Sequence, residues 1–328
     1  MEEVPPPARL WLLATSHLLP RCLHVVAEAG VADHLGEAPV SVEVLARESG
    51  CEAVALNRML RLLSTAGVFE RVAEGWAHTE LSRLLRTDQP HSMRAFVRMI
   101  GGRMQWAAAG ELGQSLVNGQ AAIETVVPGG LWSWFAEHPE EARIFDAAMT
   151  SKSIGEIAAL IPAFDFKPYR VIADVGGGRG HVLAAILEAT PGATGVLFDL
   201  PHVVAAVTAS PRVELRGGDF FRDALPGADA YVVSQVLHDW PDEQAIAILH
   251  AVRRAAHAGS HLLVLEQVMA GSPGPHPSKV LDIVMLVLTG GRERTQEDYA
   301  RLFRAAGFRL ERVVPTESPV SVLVGIPV

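Results

Sequence analysis

The stretch "SQVLHDWPDEQAI", Ser234 to Ile246, sets a histidine, acids and a tryptophan where an apolar run gives way to a helix start. A histidine there can take up a proton near neutral pH, or "HDWPDE" can be only the punctuation that begins a helix, since Pro241 and two acids suit a first helical turn. Other segments also carry chemistry. "DVGGGRGHVL" spaces Asp174, Gly176, Gly178 and Gly180 so that the backbone turns tightly and a ligand can lie against it with no Cβ between. "LFDLP" ends in Asp199, about twenty residues further on, where an acid can bind both hydroxyls of a ribose. "GGDFF" offers Asp219 as an acceptor for an adenine amino group and Phe220 as a surface for its ring. Glu266 sits inside the otherwise apolar "LLVLEQVM", and an acid is costly to bury there without a partner.

Two kinds of periodicity position these residues. Up to about residue 160 the apolar residues recur at three- and four-residue spacing, as in "CLHVVAEAGVADHL", "SVEVLARESG" and "AVALNRMLRLLSTAG", which predicts helices. Ser41 suits a helix cap. "VFERVAEGWAHTE" predicts a hairpin turning around Glu74 and Gly75. Helix, helix and hairpin make a winged-helix-like unit. From about Phe166, short apolar runs ("RVIADVG", "TGVLFDL", "RVELRGGDF", "ADAYVVSQVL", "SHLLVLEQVM") alternate with helical stretches, among them "GHVLAAILEATPG" and "PHVVAAVTAS". That alternation predicts an α/β fold with a doubly wound, mostly parallel sheet. "FRLERVVPTE" and "PVSVLVGIPV" follow one another without a crossover helix and read as an antiparallel last hairpin. Residues 1–100 are thus expected to form a helical domain, 101–165 a helical linker contributing to a substrate pocket, and 166–328 a ligand-binding domain.

The bulk properties narrow the function. The chain has 328 residues, 49% hydrophobic and 20% charged, enough for a sizeable core. Its net charge of −9 argues against a general affinity for nucleic acid or anionic membranes. A DNA-binding regulator would need a basic recognition helix, yet from Ser41 to Arg71 four basic residues meet four acidic ones. The acidic, proline-rich start is unlike a signal peptide, and "VLDIVMLVLTGG" is broken by Asp282 and too short to span a bilayer. A cytoplasmic protein is expected, and Cys22 and Cys51 read as small core residues in a reducing compartment. His181 stands where a dinucleotide fingerprint has its third glycine, which counts against a nicotinamide cofactor. HExxH, CxxC and GxSxG patterns are missing from the sequence, so metal hydrolysis and α/β-hydrolase chemistry are disfavoured and no metal is expected.

In this order, "DVGGGRG", "FDLP", "GDFF", "LHDWPDE" and "GGRERT" resemble the small-molecule O-methyltransferases that use S-adenosylmethionine, of the caffeate and hydroxyindole type with bacterial natural-product relatives. The resemblance covers nearly the whole chain and implies that the helical first half is a homodimerisation domain. It implies that Asp174, Gly176 and Gly178 hold the methionine part of the cofactor, Asp199 the ribose, and Asp219 and Phe220 the adenine, with Trp240 packed alongside. The family often has lysine four residues before the histidine of "HDW"; Ser234 stands there instead, leaving a shorter, neutral contact.

The same resemblance makes His238 the general base, flanked and oriented by Glu266 and Glu293, with S-adenosylhomocysteine as product. Transfer of a methyl from a sulfonium is an in-line displacement, so the enzyme must mainly present a deprotonated oxygen in line. A phenol of pKa about 10 is mostly neutral at pH 7, and a neutral imidazole within reach can take its proton as the bond forms. For the acceptor, Met149 matches a substrate-contacting position of the family, and Met285 another if one residue is deleted before the glycines. A family asparagine has no counterpart, and Trp106 and Phe135 are looser candidates. Together they suggest a flat, apolar, aromatic or polyketide-like acceptor. N-methylation on the same fold, or use of the cofactor without methyl transfer, are the alternatives.

Overall fold

The computed structural model describes residues 5–72, 75–208 and 210–328. They fall into two compact units, Met1–Trp106 with Phe135–Lys152, and Ala107–Trp134 with Ser153–Val328. The boundary near residue 152 lies inside one long helix, Pro139–Ala163.

The first unit is helical. Ser41 caps helix Val42–Ser49 by accepting from the Val44 amide, and Gly50, at φ 68°, ends it in the left-handed conformation. In helix Ala53–Ser64 the buried residues Leu56, Leu60 and Leu63 form one stripe. Strands β1 (Phe69–Val72) and β2 (Gly75–His78) pair antiparallel, and Val40 bridges to Trp76 as a third short edge. Glu74, expected in the turn, lies outside the described residues. Trp76 is buried and its indole N–H reaches Asn57 Oδ1 at 3.1 Å, so helix and hairpin share one core. Helix Pro6–Thr15 buries none of its residues, leaving Leu10, Trp11, Leu12 and Leu13 exposed. Among the described residues, Pro6–Glu28 is the one helical stretch long and apolar enough to cross a membrane by composition. Arg21 and Glu28 interrupt it, and Val26 and Ala27 pack into the first unit's core.

The second unit carries the sheet. Strands β3 (Val171–Val175), β4 (Thr194–Asp199), β5 (Val213–Gly217), β6 (Ala230–Ser234), β7 (His261–Gln267), β8 (Phe308–Pro315) and β9 (Val320–Pro327) lie in the order β5-β4-β3-β6-β7-β9-β8. The first five are parallel, while β9 runs antiparallel to both β7 and β8. Apolar runs arise because both faces are covered. Along β6, Tyr231 and Val233 join one core cluster while Ala230 and Val232 join the other. The strand order reverses between β4 and β6, on either side of β3, and open α/β sheets bind ligands at such a point.

Two local expectations change. "PHVVAAVTAS" is helical only over Pro201–Val204, a single turn that opens on Pro201 and ends at Ala205. The strand before His238 stops at Ser234; Gln235 turns left-handed (φ 52°), and His238 then rides a short 3-10 turn, Leu237–Asp239, ahead of helix Asp242–Ala255.

Candidate active site

Three strand ends build one half of the site. After β3 the loop places Gly176, Gly178 and Gly180 at φ 72°, 56° and 75°, where a Cβ would be strained. Asp199, at the end of β4, accepts from the Gly178 amide at 2.8 Å and from the Leu200 amide at 2.7 Å. The Gly176 amide donates to Phe198 O (2.8 Å) and the Gly218 amide to Asp199 O (2.9 Å), which ties the ends of β3, β4 and β5 together. Asp219 accepts from the Phe221 amide at 2.9 Å. Phe220 and Phe221 meet the Trp240 ring edge-on, with centroids 6.2 and 4.9 Å away, and Trp240 and Phe220 are half-buried. Ser234 is half-buried at the end of β6, opposite Leu265 of β7. Asp174 is fully buried beneath the loop, so close that a Cβ on Gly177 would stand 2.4 Å from its carboxyl. Burial, and then the charge of Asp199, push the Asp174 carboxyl up to about 7.

The other half is assembled from three separated segments. His238 Nδ1 lies 2.8 Å from Glu293 Oε1 and 3.3 Å from Glu266 Oε2. The His238 amide also donates to Glu266 Oε1 at 3.2 Å. In the neutral ring Nδ1 therefore carries the proton toward Glu293 and Nε2 has the lone pair, with Asp239 Oδ1 3.7 Å away. Both glutamates and the ring are buried. Glu266 is held in β7 opposite Ser321 of β9, and the Glu293 amide donates to Asp282 Oδ1 at 2.8 Å.

Burial alone would push the His238 imidazole down, but the carboxylates of Glu266, Asp239 and Glu293 outweigh it and hold its pKa at about 9. Burial raises Glu266 to about 7, with the histidine's charge opposing and the neighbouring acids adding. The proton balance of His238 and that of Glu266 therefore depend on each other. Tyr299, buried behind the two glutamates, has a hydroxyl raised by burial and by their charge.

Of the acceptor candidates, Met285 is buried in helix Pro277–Leu288 of the second unit. Trp106, Phe135 and Met149 belong to the first. Trp106 packs edge-on to His24 and under the Arg21 guanidinium, 5.0 Å from its centroid, while Phe135 packs on Phe145. Three residues of the site escape a sequence reading. Arg294 is fully buried and bonded to the His238 turn, Asp282 anchors Glu293, and Tyr299 backs the acids. The signal for Arg294 was its place beside Glu293 in "GGRERT", and that for Asp282 its place as an acid inside the apolar "VLDIVMLVLTGG"; Tyr299 offered none.

A doubly wound sheet with a glycine loop, acids at the next two strand ends and a histidine clamped by glutamates is the frame of an enzyme that holds its ligand at the sheet's switch point. An O-methyltransferase domain model matches residues 110–309 and an O-methyltransferase dimerisation domain model residues 11–88. The chain belongs to this family of S-adenosylmethionine-dependent O-methyltransferases. It is 37% identical to the phenazine O-methyltransferase PhzM of Lysobacter antibioticus over 99% of this chain and 97% of that protein. It is 36% identical to an 8-amino-8-demethylriboflavin N,N-dimethyltransferase of Streptomyces davaonensis, over 89% and 87%. The solved structure of CalO1, a methyltransferase of calicheamicin biosynthesis with S-adenosylhomocysteine bound, superposes with TM-score 0.89 at 34% identity, covering 100% of both chains.

The site's own residues fit this cofactor. Asp199 and Asp219 are half-buried carboxylates at and just after the ends of β4 and β5, the donor-accepting chemistry that ribose hydroxyls and an adenine amino group call for. A Cβ on Gly178 would meet nothing within 4 Å, leaving open space at the loop, and the Phe220, Phe221 and Trp240 rings supply apolar surface.

Proposed function

We propose that the protein transfers a methyl group from S-adenosylmethionine to a hydroxyl of a small, flat, aromatic or polyketide-like acceptor, with His238 as general base. The observation that carries this reading is the pinning of Nδ1 between Glu293 and Glu266, which leaves Nε2 as the proton acceptor. An ordinary imidazole of pKa about 6.5 would take a proton from a phenol of pKa about 10 well uphill. Raised to about 9, His238 closes most of that gap. Its two acids then hold the imidazolium that forms.

The bound cofactor supplies an electrophilic methyl group on a sulfonium. Asp199 takes the ribose, Asp219 and Phe220 the adenine with Trp240 alongside, and Gly176 and Gly178 let the methionine portion approach the backbone. Asp174 supports that loop from beneath, and Ser234 replaces the family's lysine with a short neutral contact. Met149, Met285, Trp106 and Phe135 are each proposed as acceptor contacts on the strength of the resemblance, with residues 101–165 as the segment that contributes to the pocket.

The enzyme is proposed to be a cytoplasmic homodimer that binds neither nucleic acid nor membrane. Its exposed helix Pro6–Thr15, with Leu10, Trp11, Leu12 and Leu13 unburied, suits a second copy of the chain. Light scattering at micromolar concentration should give a dimer mass, and a monomer would exclude this arrangement.

N-methylation is the second reading, favoured by the N,N-dimethyltransferase among the relatives. The deciding experiment is calorimetric titration with S-adenosylhomocysteine, with NAD as control, followed by a methyl-transfer screen over phenols, hydroxyquinones and amines. Micromolar binding of the first ligand alone, and turnover of a hydroxyl acceptor, are expected. No binding of S-adenosylhomocysteine would remove the cofactor assignments, and turnover of amines alone would favour the second reading.

A further inference from the structure

Arg294 is the one arginine fully buried among the described residues. Its guanidinium donates to Leu237 O through Nη1 at 2.8 Å and to Trp240 O through Nη2 at 2.7 Å. It also donates to Asp242 Oδ1 from Nε at 2.9 Å and from Nη2 at 2.8 Å. The two carbonyls bracket His238, one residue before it and two after. The same segment grips the turn elsewhere: the Arg292 amide donates to His238 O at 2.9 Å. Gly291 passes so close that a Cβ would stand 1.9 Å from that oxygen. Arg294 is itself fixed, because its carbonyl accepts from the Met269 amide at 2.9 Å.

We infer that Arg294 is a positioning residue that sets the direction of His238 Nε2 by clamping the turn that carries it. The inference rests on the reading of His238 as the base. A 3-10 turn of three residues, entered through a left-handed Gln235, has no ladder of its own to hold it. Its buried carbonyls need donors, and Arg294 supplies them at two points at once while Asp242 neutralises the charge. A planar guanidinium can reach the two carbonyls and the carboxylate together; an ammonium, with its donors on one atom, cannot.

The test uses the full-length protein without cofactor or acceptor and follows the His238 imidazole by nitrogen-edited NMR. In the wild type the Nδ1–H should exchange slowly, held by Glu293, and the ring should titrate high. Arg294→Lys keeps the positive charge but loses the fork. It should make that proton exchange fast and lower the ring pKa by about one unit or more toward the ordinary 6.5. In turnover it should lower kcat about tenfold or more while changing the affinity for S-adenosylhomocysteine less than about threefold. Arg294→Met removes fork and charge together: displacement should again lower the ring pKa, whereas a raised ring pKa would mean that only the lost charge was felt and would overturn the proposal. A slow Nδ1–H and an unchanged ring pKa in Arg294→Lys would overturn the proposal. If that variant does not fold, Asp242→Asn, at a half-exposed position, removes the anion that two of the guanidinium bonds use. It should speed Nδ1–H exchange to a smaller degree, and unchanged exchange there also overturns the proposal. The NMR signature needs no turnover, so a wild type that transfers no methyl would sink the proposed function while leaving this result to stand or fall alone.

Discussion

At the cofactor half of the site, Asp199 and Asp219 spend oxygens on amides of their own or adjoining loops and stay half-buried. At the half proposed to be catalytic, His238, Glu266, Glu293 and Arg294 are shut away from water; both glutamates bond to His238, and Arg294 bonds to the carbonyl of Leu237 beside it. The first arrangement sits at the ends of separate strands, so its residues should act one at a time, and on binding. The second meets at one imidazole, so its residues should act as a unit, and on the chemical step.

The sharpest break between the halves is His238→Ala. Turnover should fall about 10²–10⁴-fold with S-adenosylhomocysteine affinity changed less than about twofold; equal activity would remove His238 as the base. Glu293→Gln and Glu266→Gln should each slow the reaction, and the double variant should lose less than the product of the single losses, because both act through one imidazole. Strict multiplicativity in a double-mutant cycle would contradict the shared cluster. The pH dependence follows from the raised His238 pKa: Nε2 must be unprotonated, so kcat should climb as pH rises toward about 9 and level off above it. Removing the Glu266 charge takes away the strongest of the influences raising that pKa, and Glu266→Gln should move the rise to lower pH. A rise that stays put would show that Glu266 does not tune the ring.

The cofactor half was legible because each of its parts is local. A glycine spacing, an acid after a strand and an aromatic beside an acid are read within a few residues, and β3, β4 and β5 place them in line. The winged-helix-like unit and the antiparallel β8–β9 hairpin were legible for the same reason, being patterns of neighbours. What local residue patterns could not reveal, and only the resemblance implied, is coupling across distance. Glu266 stood out as an acid in an apolar strand, but only the fold brings it within 3.3 Å of His238 Nδ1. Arg294 carries no periodic or compositional mark of burial, and its partners, two of them backbone carbonyls, are more than fifty residues away in sequence. The short helix after Pro201 was overread because apolar content does not by itself set a helix's length.

On the binding side, Asp199→Ala should weaken S-adenosylhomocysteine about 10-fold or more, the scale of hydrogen bonds to a charged acceptor, while kcat at saturating cofactor changes little. Unchanged affinity in calorimetry would take Asp199 out of the ribose site, and a fall in kcat alone would mean that the two halves are not separable.

Asp174 tests the comparison from the opposite side, because it lies in the cofactor half yet is as buried as the catalytic acids. Its carboxyl is raised from 3.8 to about 7 by burial and by Asp199. A group whose folded pKa is raised contributes stability that is present below the unfolded pKa and lost as pH rises through the folded one. The wild-type apoprotein should therefore lose stability between about pH 4 and pH 7, with Glu266 adding to the same slope. Asp174→Asn keeps the shape without the charge and should flatten Asp174's share of that slope, giving a Tm a few degrees above wild type at pH 8 and little difference near pH 4. Activity at saturating cofactor should change less than about twofold, since the carboxyl supports the loop from beneath and touches no reacting atom. A variant less stable than wild type at pH 8 would mean that the ionised carboxylate is itself needed to hold the loop.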